Sequence, residues 1–149
     1  MVPLLVLVIS AAVLRGAGFL GVTALNNLDL PLRGGLFLMF MVTASARWGS
    51  GRADLIRMVP SGLPRPDVLV SVTGVLEILG ALGLLISATT TLAAVCLSIL
   101  LVAMFPANVR AARERLTIFG RPAPGVLLRG AIQAIFLASL IVVAARGAR

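Results

Sequence analysis

A twenty-residue run from Val68 to Ser87, VLVSVTGVLEILGALGLLIS, is apolar almost throughout and carries one ionisable side chain, Glu77, near its middle. At 1.5 Å rise per residue, such a helix covers the roughly 30 Å hydrocarbon core of a bilayer. A carboxylate at that depth costs at least a few kcal/mol unless it is protonated, paired or turned to a polar cavity. The rest of the chain must therefore supply something that satisfies Glu77.

Several further apolar runs follow one another along the 149 residues. Of these residues 60% are hydrophobic and only 12% charged, against about a quarter charged in soluble domains. The composition points to an all-α, polytopic transmembrane helical bundle occupying residues 1–149 as a single domain. Five spans are expected, at about 2–25, 32–48, 68–87, 92–108 and 126–145. Met1 to Leu14 has no basic start and is followed by no A-x-A site, so it reads as a retained helix rather than a signal peptide.

Between the spans, breakers mark the connections. Asn26 to Arg33 reads as a turn, with Pro31 as a breaker. Arg33 and Arg47 are expected to snorkel to opposite interfaces, with Trp48 in the interfacial belt. Ala53 to Val59 suits a short interfacial helix, and Pro60, Pro64 and Pro66 make a stiff elbow after it. The short SATTT connection (Ser87 to Thr91) predicts an antiparallel hairpin. Pro106 should free the carbonyl of Val102 near the end of the fourth span, where Asn108 follows. Ala17 and Gly21 form a small-xxx-small pair suited to close helix approach.

All 13 basic residues are Arg. Nine lie at the connections after the second and fourth spans: Arg47, Arg52, Arg57, Arg65, Arg110, Arg113, Arg115, Arg121 and Arg129. Arg33, Arg146 and Arg149 fall on the opposite side, and Arg15 lies within the first span. This positive-inside asymmetry places the N-terminus and both Arg-rich loops in the cytoplasm of a cell membrane. The Arg are set between apolar spans, so a nucleic-acid partner is not expected. With no His and only Cys96, intramolecular dithiol chemistry is excluded, and neither a zinc or haem site built from His and Cys nor any other metal is expected.

Arg15 and Glu77 fall within roughly 3 Å of each other along the membrane normal, which makes them a candidate ion pair. Asn108 and Gln133 lie nearer the cytoplasmic face, and Arg129 shares a helix side with Gln133 by i,i+4 spacing. Such groups either bind a ligand or lock helices in register, the latter worth about 1 kcal/mol or less for an amide.

The segments MVPSGLP (Met58 to Pro64), TGVLEILGALGLL (Thr73 to Leu85), MFPANVRAA (Met104 to Ala112) and LLRGAIQ (Leu127 to Gln133) resemble the DoxX family of small bacterial membrane proteins, in the same order along the chain. The resemblance implies a four-helix core made of the second to fifth spans, with the first span added at the N-terminus. Arg47-Trp48 stands where many relatives carry a His-Phe pair, so these two residues join Glu77, Arg15, Asn108 and Gln133 in the candidate ligand pocket. The resemblance also implies a membrane subunit of a redox-related assembly, with a quinone-like or other lipophilic ligand as its cofactor. The alternative is a non-catalytic scaffold or assembly factor that docks partner proteins. The bilayer is the common partner in both readings, with a redox enzyme or a second copy of the chain as the protein partner.

Overall fold

Four of the five long helices carry a buried stripe at three- and four-residue intervals, and these stripes decide how the helices assemble. The computed structural model describes residues 2–147. Met1 and Arg149, used above for the N-terminal reading and the charge count, lie outside the described residues.

The helices are α1 (Val2–Phe19), α2 (Asp29–Ser45), α3 (Arg52–Met58), α4 (Pro66–Leu85), α5 (Thr90–Arg113) and α6 (Val126–Gly147), with a 3-10 turn at Thr23–Asn26. On α4 the buried residues are Val70, Gly74, Glu77, Ala81 and Leu84. On α6 they are Gln133, Phe136, Leu140 and Val143. These stripes meet Leu36, Met39 and Phe40 of α2 and Ala93, Ala94 and Leu97 of α5 in one core. Packing closes α2, α4, α5 and α6 into a ring, and α1 lies chiefly on α2. The other faces stay apolar and exposed, with Leu79, Ile99 and Ile141 among them, as expected of helices that face lipid.

Four helices, α1, α4, α5 and α6, are long and apolar enough to cross a membrane. The expected spans shift at their ends. α1 stops at Phe19 rather than Leu25, because Gly21 takes φ +115° and the chain folds back. Gly21 therefore makes no helix contact, and Ala17–Gly21 is not the close-packing pair. That role falls to Gly35, where a Cβ would sit 3.0 Å from the Leu7 carbonyl oxygen and 3.1 Å from Ala11 Cβ. Asn26 to Arg33 is a turn only in its first part, since α2 begins at Asp29. Pro31 fits there because first-turn N–H groups have no intrahelical partner to lose. Arg33 does not snorkel. It is buried, pairs with Asp29 at 3.3 Å, and donates to Thr90 Oγ1 beside the α4–α5 connection.

α5 runs 24 residues, through Pro106 and Asn108, so neither ends it. Gln133 Nε2 reaches across from α6 to the Leu101 carbonyl at 2.8 Å, next to the Val102 carbonyl that Pro106 leaves without its usual partner. Beyond α5, a two-residue hairpin pairs β1 (Thr117–Ile118) with β2 (Arg121–Pro122). Its turn residues Phe119 and Gly120 have φ of 51° and 73°, the geometry that matches strand twist in short hairpins.

The hairpin is pinned to α3. Asp54 Oδ2 accepts the Phe119 N–H at 2.8 Å, Asp54 Oδ1 pairs with Arg57, and the Phe119 ring covers Gly51 so closely that any Cβ there would collide with it. The Phe119 N–H and then Arg57 hold the Asp54 carboxyl below its ordinary range. A depressed carboxylate stabilises above its unfolded pKa and loses that contribution as pH falls through the folded value. The Phe119 amide resonance is thus expected to stay fixed at neutral pH and to move only below about pH 4. Asp54→Asn should remove that titration, whereas a transition near pH 6 would contradict the contact.

Candidate functional site

Glu77 faces inward because it stands three residues after Gly74 and four before Ala81 on the buried stripe of α4. Its partner is Arg47, not Arg15. Arg47 follows the last turn of α2, and its side chain turns back into the bundle instead of snorkelling outward. Nε donates to Glu77 Oε2 at 3.0 Å and Nη2 to Oε1 at 2.6 Å, a two-pronged pair with both residues buried. Thr43, one helical turn before Arg47, presents Oγ1 to Glu77 Oε2 at 3.3 Å. Arg47 Nη2 also lies 3.2 Å from Met104 Sδ on α5. Three helices of the ring therefore meet at one carboxylate.

Gly74 makes room for this. A Cβ there would lie 2.5 Å from Arg47 Cδ and 2.6 Å from Trp48 Cη2. Trp48 rests its ring in that notch and remains half exposed, beside the pair rather than on it. Arg52, which the sequence did not single out, holds the base of the site. Its guanidinium donates to the Arg47 carbonyl at 2.9 Å, to the Asp67 carbonyl at 3.2 Å and to Ser71 Oγ at 3.0 Å. It thus ties the end of α2 to the first turns of α4, satisfying a carbonyl that no longer has a helical partner.

Arg15 lies apart from this group. It reaches the Leu25 carbonyl at 3.3 Å and Asn26 Oδ1 at 3.4 Å, and its guanidinium sits 4.4 Å from the centre of the Phe19 ring. The expected match in depth with Glu77 does not hold either: Arg15 stands at the α1–α2 turn, beside the start of α2, whereas Glu77 meets Thr43 and Arg47 at the opposite end of α2, so the two charges are not neighbours.

Asn108 and Gln133 do come together. Arg129 Nη1 donates to Asn108 Oδ1 at 2.7 Å, Asn108 Nδ2 donates to Gln133 Oε1 at 3.3 Å, and Gln133 Nε2 donates to the Leu101 carbonyl at 2.8 Å. Met104 and Asn108 stand four apart on α5, so this chain of amides begins one turn from the Arg47–Glu77 pair. Five of the six candidate pocket residues thus gather in the Arg-rich half of the bundle. Two clefts lie elsewhere. One of about 380 Å³ is bordered by Ile56, Pro60, Arg110 and Leu116, and one of about 280 Å³ by Ala11, Pro31 and Val142. Among the described residues no cluster of His, Cys, Asp and Glu could hold a metal ion.

The family described as "Domain of unknown function (DUF8561)" matches residues 38–146, and the chain belongs to it. That stretch contains Arg47, Glu77, Asn108, Arg129 and Gln133, and leaves out α1 with Arg15. No curated protein and no solved structure matches the chain.

Proposed function

We propose that this chain is a five-span protein of the cell membrane, DoxX-like in its four-helix core, that serves as a non-catalytic scaffold docking partner proteins, with Arg47–Glu77 as its internal lock. The observation that carries this reading is that one guanidinium holds both oxygens of the buried carboxylate. A ligand would have to displace Arg47 rather than enter beside it. A charge pair at the meeting of three helices is suited to fixing register and specificity.

The fifth span in this reading is α2, whose 17 residues extend about 25 Å. Its support is that α2 supplies Leu36, Met39 and Phe40 to the core, and that Arg33 and Arg47 contact opposite ends of the bundle. The Arg-rich end then faces the cytoplasm by the positive-inside rule.

A second reading makes the chain a membrane subunit of a redox-related assembly that binds a quinone-like molecule. It draws support from the succession of polar groups running from Arg129 through Asn108 and Gln133 to within a turn of Met104. The double substitution Arg47→Met with Glu77→Leu separates the two. Under the scaffold reading the doubly substituted protein keeps its fold, and its copurifying proteins and lipophilic molecules match those of the wild type. Loss of a quinone-like molecule that the wild type carries would replace it with the redox reading.

A further inference from the structure

Arg129 is a half-buried cation whose surroundings are incomplete. The four ion pairs among the described residues engage Arg33, Arg47, Arg57 and Arg110, and leave Arg129 without a carboxylate. Its guanidinium is half buried. Nε is enclosed without a hydrogen-bond partner, and Nη1 is fixed on Asn108 at 2.7 Å. The amides behind it are all oriented one way. Asn108 gives its oxygen to Arg129 and its N–H to Gln133, and Gln133 gives its N–H to the Leu101 carbonyl. The network therefore accepts from the guanidinium and holds it in place, but supplies no negative charge. Nη2 makes no protein hydrogen bond among the described residues and, unlike Nε, is not enclosed.

Surroundings of this kind favour an anion. Arg129 lies in the first turn of α6, where the helix dipole adds positive potential. It also lies at the Arg-rich end, at the level where α6 enters the membrane. Leu127 and Leu128, which precede it at the same end of α6, are exposed and provide apolar surface at that level of the bundle. Phosphate accepts paired hydrogen bonds from the planar guanidinium fork, and a phospholipid would place its acyl chains along such a leucine face.

We infer that Arg129, positioned by Asn108 and Gln133, is a binding site for a phosphate group, carried by an anionic phospholipid headgroup or by free phosphate. This rests on α6 being a membrane helix and is independent of the role of Arg47–Glu77. The two sources share their chemistry, so the test carries an arm for each.

Full-length protein is delipidated in detergent and titrated separately with phosphatidylglycerol, phosphatidylcholine and inorganic phosphate, with thermal unfolding and native mass spectrometry as readouts. For a headgroup site, phosphatidylglycerol raises the unfolding midpoint and is retained about tenfold better than phosphatidylcholine, the ratio expected from one charge-assisted pair. If inorganic phosphate alone gives an upward shift that depends on Arg129, the site stands with free phosphate as the ligand. Arg129→Gln abolishes the effect, while Arg113→Gln, at an exposed position, retains it. Should Arg129→Gln fail to fold, Asn108→Asp decides. It places a carboxylate beside Arg129, so the protein folds and its response to the anion falls. The inference is overturned if Arg129→Gln or Asn108→Asp responds as the wild type does, or if the wild type distinguishes neither phosphatidylglycerol nor phosphate from phosphatidylcholine.

Discussion

Glu77→Gln is expected to destabilise the bundle by about 3–5 kcal/mol, because it removes one member of a buried ion pair and leaves the other charged. The amide is nearly the same size as the carboxyl, so packing against Thr43 is retained and the loss reports on charge. Gln can still accept one of the two Arg47 hydrogen bonds, but its NH₂ group then faces a donor. Arg47 then remains an uncompensated cation among buried side chains. Replacing both partners by apolar residues of similar volume, Arg47→Met with Glu77→Leu, is expected to recover most of the loss, since the desolvation of both charges disappears together. Equilibrium unfolding in a single detergent measures all three proteins. A single substitution that costs less than about 1 kcal/mol would mean that the pair is solvated and does not lock the helices.

Gly74→Ala is the second large effect. The added Cβ falls 2.5 Å from Arg47 Cδ, in the middle of a side chain whose far end is held at 2.6 and 3.0 Å by Glu77. Trp48 can swing away because it is half exposed, but Arg47 can move only by loosening its grip on the carboxylate. Overpacking of this kind costs about 1–3 kcal/mol, and here the weakening of the ion pair adds to it. The loss should shrink when Gly74→Ala is made in the Arg47→Met, Glu77→Leu background, where the flexible Met side chain yields more readily. An equal loss in both backgrounds would place the strain on Trp48 or the backbone instead.

Much of the architecture was readable because apolar length and breakers are one-dimensional signals. The α4 helix, the α4–α5 hairpin, the Pro60–Pro66 elbow and the short α3 helix all follow from them. Glu77 stood out for the same reason, as one charge in an apolar run. Its partner did not, because apolar length fixes neither where a span ends nor which way each helix faces around the bundle. Arg15 reads as a mid-depth residue of a span reaching Leu25, but α1 ends at Phe19 and Arg15 lies at the α1–α2 turn. Arg47 sits past the last turn of α2, where snorkelling outward is the ordinary expectation, yet its side chain points inward. Gly74 carried a signal for this. It stands one turn from Glu77 on the same face and opens a notch toward the end where Arg47 lies. Consecutive elements also tend to be neighbours, which favours an α2–α4 pairing within the core over one that reaches from α1.

Pro106 misled in the opposite direction. A proline followed by Asn reads as a helix end, but α5 runs through both to Arg113, packed along α6, and that packing is legible only in the tertiary structure. The Phe119–Gly120 hairpin lacks the Asn-Gly or Asp-Gly pair that announces such turns, and it is held by Asp54 from 65 residues away.

A double-mutant cycle in one detergent, pairing Glu77→Leu first with Arg47→Met and then with Arg15→Met, tests the central claim most directly. The account predicts a coupling of several kcal/mol for Arg47 with Glu77. For Arg15 with Glu77 it predicts additivity to within about 0.5 kcal/mol. A coupling that belongs to Arg15 instead, or additive losses in both cycles, would contradict it.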